Sequence, residues 1–144
     1  MLRWILSGCN GRMGRAVERL CAAQPDLEIV AGFDLLGIAE GNFPVFSSPA
    51  EFKGQADVVI DFSSPAALPA LLDFCLERRV PVVLATTGYS QEQLAAIDQA
   101  ARTIPIFRSA NMSLGVNVLL ALVRQAAAAL GQDYDIEIVV RHHN

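Results

Sequence analysis

The run Gly8-Cys9-Asn10-Gly11-Arg12-Met13-Gly14 follows the apolar stretch 2–6 directly and opens onto a helical pattern. Glycines placed between a strand and a helix restrict the fold more than any other feature of this chain. Glycine accepts backbone conformations and close approaches that a Cβ forbids. A strand, a glycine turn and a helix in that order bring backbone N–H groups and the positive end of a helix dipole to one point, where an anion is favoured. The order predicts a pyrophosphate-binding turn. Gly8 and Gly11 give the diphosphate room, and Gly14 lets the helix rest on the sheet. The spacing is G-x-x-G-x-x-G rather than G-x-G-x-x-G, so the flanking strand and helix carry as much of the argument as the glycines.

The rest of the chain repeats the alternation. Strands are predicted at Leu2–Ser7, at Leu27–Phe33, at 43–46 as a weak edge piece with Pro44, at 56–62 as a central strand, at 80–85, at 104–107 and at 135–140. Helices are predicted over 12–23, from Ser64-Pro65 to Arg78-Arg79, over 90–103 and over 114–130. Ser64 reads as an N-cap with proline after it, and Ser90 with Gln93 as a capping box. Met13, Val17, Leu20 and Cys21 should form one buried stripe; Leu68, Leu71, Leu72, Cys75 and Leu76 should form another. Strands alternating with helices imply right-handed crossovers and a doubly wound, mostly parallel α/β sheet of Rossmann type, with helices on both faces. One dinucleotide-binding domain over 1–133 is expected. Residues 134–144 then read as a last strand and the start of a connection to a further substrate and oligomerisation domain.

Composition narrows the partners. With 144 residues and a net charge of −4, the chain lacks the basic surface of a nucleic-acid binder. The longest apolar stretch, 114–130, is interrupted by Asn117, Arg124 and Gln125, so no membrane span is expected. Met1-Leu2-Arg3-Trp4 leads straight into the first predicted strand, so no signal peptide is expected. Cys9, Cys21 and Cys75 lack metal-type spacing and read as free thiols of a reducing cytoplasm.

Several side chains fall where ligands of doubly wound sheets bind, at the carboxyl ends of strands. Asp34 ends the second strand, twenty residues after Gly14. It reads either as the carboxylate that accepts from the adenosine ribose hydroxyls or as a turn aspartate, and the glycine turn upstream favours the ribose. Leu35 and Leu36 follow it, which tilts the cofactor toward NADH, while Arg12 and Arg15 keep NADPH open. Phe62-Ser63 and Ala85-Thr86-Thr87-Gly88 are placed to meet a nicotinamide amide, with strand-end turn chemistry as the plain alternative. Asn111 carries the same two readings. Asp61 reads as structural, accepting from the N–H groups of the next turn. His142 and His143 end the last predicted strand, and one of them suits a general acid; a zinc reading is poor, because no cysteine or second histidine cluster has suitable spacing. There is no G-x-S-x-G elbow, no Gly-Lys-Ser/Thr phosphate loop and no Tyr-x-x-x-Lys pair.

Taken together, Gly8-Cys9-Asn10-Gly11-Arg12-Met13-Gly14-Arg15, Asp61-Phe62-Ser63, Thr86-Thr87-Gly88, the run from Ala110-Asn111-Met112-Ser113 to Asn117, and Asp135-Ile136-Glu137-Ile138 leading to His142-His143 resemble the 4-hydroxy-tetrahydrodipicolinate (dihydrodipicolinate) reductases of lysine and diaminopimelate biosynthesis. The resemblance implies reduction of a cyclic, unsaturated dicarboxylic acid to tetrahydrodipicolinate by NADH or NADPH. It implies cofactor contacts from Gly8, Cys9, Asn10, Gly11, Arg12, Met13 and Asp34, with Phe62 at the same crevice. Ala85, Thr86, Thr87, Ser109, Ala110, Asn111 and Met112 would position the nicotinamide. His142 matches the proposed proton donor and His143 a substrate-carboxylate contact. The family pattern continues past the histidines into a lysine and Asp-Ala-Pro-Ser-Gly-Thr, and full-length members are homotetramers. Val140 stands where the family has glutamate, and Ala85 where it has glycine. The 144-residue chain is therefore expected to bind cofactor without appreciable turnover. Two other readings remain: the cofactor domain of another amino-acid dehydrogenase, such as an aspartate or homoserine dehydrogenase, and a non-catalytic NAD-binding redox sensor.

Overall fold

The computed structural model describes residues 1–109 and 111–139. They fall into two compact units, Met1–Ala110 and Asn111–Asn144. In the first unit the strands are β1 (Leu2–Ser7), β2 (Leu27–Phe33), β3 (Val45–Phe46), β4 (Val58–Asp61), β5 (Val82–Leu84) and β6 (Ile106–Arg108). The helices are α1 (Arg12–Cys21), α2 (Leu68–Arg78) and α3 (Gln91–Ala100). All six strands form one sheet in the order β3-β2-β1-β4-β5-β6, and every pairing is parallel. The order reverses at β1, so the chain departs toward β2 on one side and toward β4 on the other. The doubly wound expectation holds, and the crevice between the ends of β1 and β4 is the topological switch point.

Side chains alternate across the sheet because strand residues point to opposite faces. Ile5, Val59, Val82 and Leu84 meet Leu68, Leu71, Leu72, Cys75 and Ile97 on the face covered by α2 and α3. Phe33, Phe52 and Phe74 pack edge to face in that core, with centroids 5.4 to 6.5 Å apart. Trp4, Leu6, Cys9 and Phe43 form a smaller cluster on the face of α1, where Val17 and Cys21 pack against them.

The stripe predicted for α1 is only half buried. Met13 and Leu20 are 55% and 71% exposed. The helix rests on the sheet through Gly14, Val17 and Cys21. At about 100° per residue, Met13 and Leu20 fall together on its flank. On α2 the predicted stripe holds, with Phe74 added. The Ser90–Gln93 capping box is present in both directions. Ser64 is different: its side chain caps nothing, and the chain first makes a 3-10 turn, Pro65–Ala67, before α2 begins.

The second unit holds α4 (Leu114–Leu130), which ends at Gly131 with φ +70°. The strand predicted at 135–140 is absent over 135–139. A strand needs a neighbour to satisfy its N–H and C=O groups, and among the described residues none pairs with these. Among the described residues one stretch, Leu114–Asp133, is long and apolar enough to cross a membrane, and none of its window is buried. Asn117, Arg124 and Gln125 therefore do not break the run as the sequence argument expected. The same length and composition are met by a helix whose apolar surface other protein covers.

Candidate functional site

The first β–α turn is built around Gly8. Its φ is +73°, and a Cβ there would meet the backbone of Phe62 and Ser63 at 2.8 Å. Gly8 N–H donates to Phe33 C=O at 2.8 Å and Phe62 N–H to Ser7 C=O at 2.9 Å, so the ends of β1, β2 and β4 are tied together. A Cβ on Gly14 would land on the carbonyl oxygens of Gly8 and Cys9. Gly11 differs: its φ of −72° suits any residue, and a Cβ would touch only Gly8 C=O at 3.3 Å. Packing within the protein thus accounts for Gly8 and Gly14, and leaves Gly11 facing open space.

Gly11 is also the N-cap of α1, with no side-chain cap and no acidic residue in the first turn. Leading N–H groups of a helix have no intrahelical acceptor, and together with the helix dipole they favour an anion. The turn opens into a groove of about 370 Å³ lined by Gly8, Gly11, Asp34, Phe62, Ala67 and Ala70, among others. Asp34 Oδ2 accepts from Asn10 N–H at 3.3 Å, and Asn10 Nδ2 donates to Ile38 C=O at 3.0 Å. Asp34 therefore faces the glycine turn from the end of β2, where a ribose would lie. Arg15 pairs with Glu40 and donates from Nε to Asn10 C=O at 3.0 Å. Arg12 is exposed and makes no ion pair among the described residues.

Other predicted contacts change character. Cys9 is 2% exposed, and burial, with Asp34 nearby, pushes its thiol up to about 11. It can offer a ligand its backbone only. Thr86 is buried, and its hydroxyl donates to Asp61 at 2.7 Å rather than toward a ligand. Ala85 N–H is taken by Asp61 C=O at 2.9 Å. Thr87 is exposed, and Ser109 N–H donates to Leu84 C=O at 3.2 Å, extending the β5–β6 ladder. In the second unit Asn111 Oδ1 accepts from Ser113 N–H at 2.8 Å, the turn geometry that was its plain reading, and Met112 is 43% exposed. Ala110, Val140, His142 and His143 lie outside the described residues.

Sequence reasoning missed the groove's far wall. Leu35, Pro49, Ala66, Ala67 and Ala70 line it, from the β2 end, the turn after β3 and the start of α2. Nothing in their spacing marks them; only the crossover brings them together. A larger hollow, about 820 Å³, lies between α2 and α3. It is an open furrow whose lining mixes aliphatic residues such as Leu72 and Leu76 with polar ones such as Asp73, Glu92 and Gln99, away from the glycine turn.

This fold, with its glycine turn at the switch point, defines a protein of the doubly wound Rossmann class. The family model described as dihydrodipicolinate reductase, N-terminus, matches residues 2–112. The chain belongs to the dihydrodipicolinate reductase family. It is 51% identical to the 4-hydroxy-tetrahydrodipicolinate reductase of Caldanaerobacter subterraneus subsp. tengcongensis and 45% identical to that of Clostridium tetani. Both alignments take in 100% of this chain, but 57% and 56% of those proteins. The chain thus spans little more than half the length of the curated relatives it matches. Dipicolinate-bound dihydrodipicolinate reductase from Paenisporosarcina sp. TG-14 shares the fold with a TM-score of 0.76 at 24% identity, over 89% of this chain and 54% of that one. A myo-inositol dehydrogenase from Corynebacterium glutamicum gives 0.60 at 25% identity, over 74% and 36%.

Proposed function

We propose that this chain is the cofactor-binding part of a 4-hydroxy-tetrahydrodipicolinate reductase of lysine and diaminopimelate biosynthesis, acting in the cytoplasm. The observation that carries the reading is the open, uncapped helix start at Gly11, set between the Gly8 turn and the Asp34 carboxylate. In it the first-turn amides of α1, through Arg12 and Met13, receive the diphosphate, and Gly11 keeps the approach clear. The second oxygen of Asp34 accepts from a ribose hydroxyl while the first keeps Asn10 in place. The apolar groove wall takes the adenine face. The Phe62-Ser63 and 85–87 turns meet the nicotinamide through their backbones; Ser109, Ala110, Asn111 and Met112 are assigned to the nicotinamide by family resemblance. When bound, the nicotinamide supplies the hydride.

By family resemblance, His142 gives the proton and His143 holds a carboxylate of the cyclic dicarboxylate substrate. The remaining substrate contacts and the tetramer belong to sequence that follows these histidines in full-length members. NADH is favoured, because Asp34 and a 2′-phosphate repel one another and Arg15 is committed to Glu40. Arg12 is the guanidinium left for NADPH.

Isothermal titration of the chain with NADH and NADPH tests the binding, and a steady-state assay tests the rest. Binding without appreciable turnover is expected, since hydride transfer to an unheld substrate lacks its orientation. Failure to bind either dinucleotide refutes the cofactor role. Turnover at the rate of a full-length relative refutes the placing of substrate contacts outside this chain.

A further inference from the structure

Asp61 ends β4, at the centre of the sheet, and is 1% exposed. Its carboxylate meets donors only. Ser63 gives its N–H at 3.2 Å and its hydroxyl at 2.5 Å. Thr86 gives its hydroxyl at 2.7 Å, and Tyr89 gives its own at 3.4 Å. Asp61 makes no ion pair among the described residues. A buried carboxylate without a cation is costly and survives only where hydrogen bonds saturate it. The donors belong to two separate turns, one after β4 and one after β5. Those strands are neighbours, with Asp61 opposite Leu84. One carboxylate therefore bridges the two loops at the carboxyl edge of the switch region. Core packing does not require this, because the hydrophobic cluster beneath is complete with Val59, Val82, Leu84 and Leu71. Tyr89 reports the same proximity: burial first and the Asp61 charge second raise its phenol to about 12.

We propose that Asp61 is a positioning residue that sets the Phe62-Ser63 turn and the Thr86–Tyr89 turn at a fixed separation, so that the backbone between them fits the nicotinamide end of the cofactor. The inference rests on the cofactor reading above. Asp61 touches no ligand itself. It acts through Ser63, whose N–H and hydroxyl both point inward to it, and through the Thr86 hydroxyl, so that each turn is anchored from its buried side.

The test compares NADH with ADP-ribose, which keeps the diphosphate and adenosine but lacks the nicotinamide. Wild type is expected to bind NADH more tightly than ADP-ribose. Asp61→Ala should weaken NADH by about tenfold or more, the size of one or two lost polar contacts, and leave ADP-ribose within about twofold. Asp61→Asn should recover most of that loss: its oxygen accepts from Ser63 N–H while its amide donates to the Thr86 hydroxyl, which reverses to accept. Thr86→Val removes, at constant shape, the shorter of the two bonds that reach Asp61 from the β5 side and leaves the 3.4 Å bond from Tyr89; it should give a smaller but equally selective loss of NADH if Asp61→Ala does not fold. Equal loss of both ligands, or an unchanged NADH affinity in Thr86→Val, overturns the proposal. So does an asparagine variant no better than alanine, or a wild type that binds the two ligands equally. A wild type that binds neither ligand overturns the cofactor reading as well, which separates the two failures.

Discussion

Alanine at Gly11 puts a methyl group where the diphosphate is expected to approach, at a position the protein itself leaves almost free. The added Cβ would sit 3.3 Å from Gly8 C=O, a contact relieved by a few tenths of an ångström. The backbone at φ −72° accepts alanine. Loss of glycine at the N-cap costs about 1 kcal/mol, and the lower entropy of the unfolded chain returns about 0.4–1 kcal/mol. The fold should therefore change by no more than about 1 kcal/mol, or roughly 4 °C in Tm for a chain of this size. Binding is another matter. Hydrogen bonds to a charged group are worth about 1.5–3 kcal/mol each. Displacing the diphosphate from one or two amides, about 1.5–6 kcal/mol in all, then weakens NADH by about 10- to 10,000-fold. Gly14→Ala is the contrasting variant, because its Cβ lands on backbone carbonyls of the turn. It should lose about 1–3 kcal/mol or more of stability along with binding. Calorimetric titration with NADH, beside thermal unfolding followed by circular dichroism, reads both quantities. A folded Gly11→Ala protein that binds NADH within about twofold of wild type would refute the phosphate role of this turn.

Three further outcomes are expected. Asp34→Ala should weaken NADH more than NADPH, since it removes the ribose acceptor and also the charge that repels a 2′-phosphate; equal losses would leave Asp34 a turn residue only. Folding holds the protons of Cys9, Cys75 and Tyr89 more tightly, up to about 11, about 12 and about 12, mainly by burial, with carboxylates nearby adding to it. The unfolded chain ionises them from 9.0 and 10.0. Stability from these groups is therefore complete below about pH 9 and falls toward about pH 12. Urea unfolding between pH 8 and pH 11 should show the decline, Tyr89→Phe should lessen its upper part, and a flat profile would contradict it. Ser90→Ala removes the hydroxyl that accepts from Gln93 N–H at 3.2 Å, and should cost about 1 kcal/mol in thermal unfolding.

The sheet was readable in advance because its signals are local. Apolar runs, Gly8 and the Ser90–Gln93 box each act within a few residues, and each appears where expected. The short third strand was also legible, since Pro44 restricts it to an edge. Pairing is not local, and that is where reading failed. Residues 135–139 have the composition of a strand but no partner strand among the described residues. Met13 and Leu20 fit a helical stripe, yet the helix touches the sheet through Gly14, a residue with no side chain to advertise the contact. In the candidate site, residue types singled out Asp34, which faces the glycine turn, but could not say which way Thr86 points. Its inward turn depends on Asp61, 25 residues earlier in the chain. The alanines of the groove wall carry no chemical signature at all.

The wedge of Gly8 against the Phe62 backbone bears on how quickly a ligand is captured. With Gly8 N–H held by Phe33 and Phe62 N–H held by Ser7, the turn proposed to receive the diphosphate stands assembled before any ligand arrives. Association should then follow a single exponential whose rate rises linearly with NADH concentration in stopped-flow fluorescence, without a plateau from a slow rearrangement. A saturating rate would mean that this corner of the sheet must first come apart.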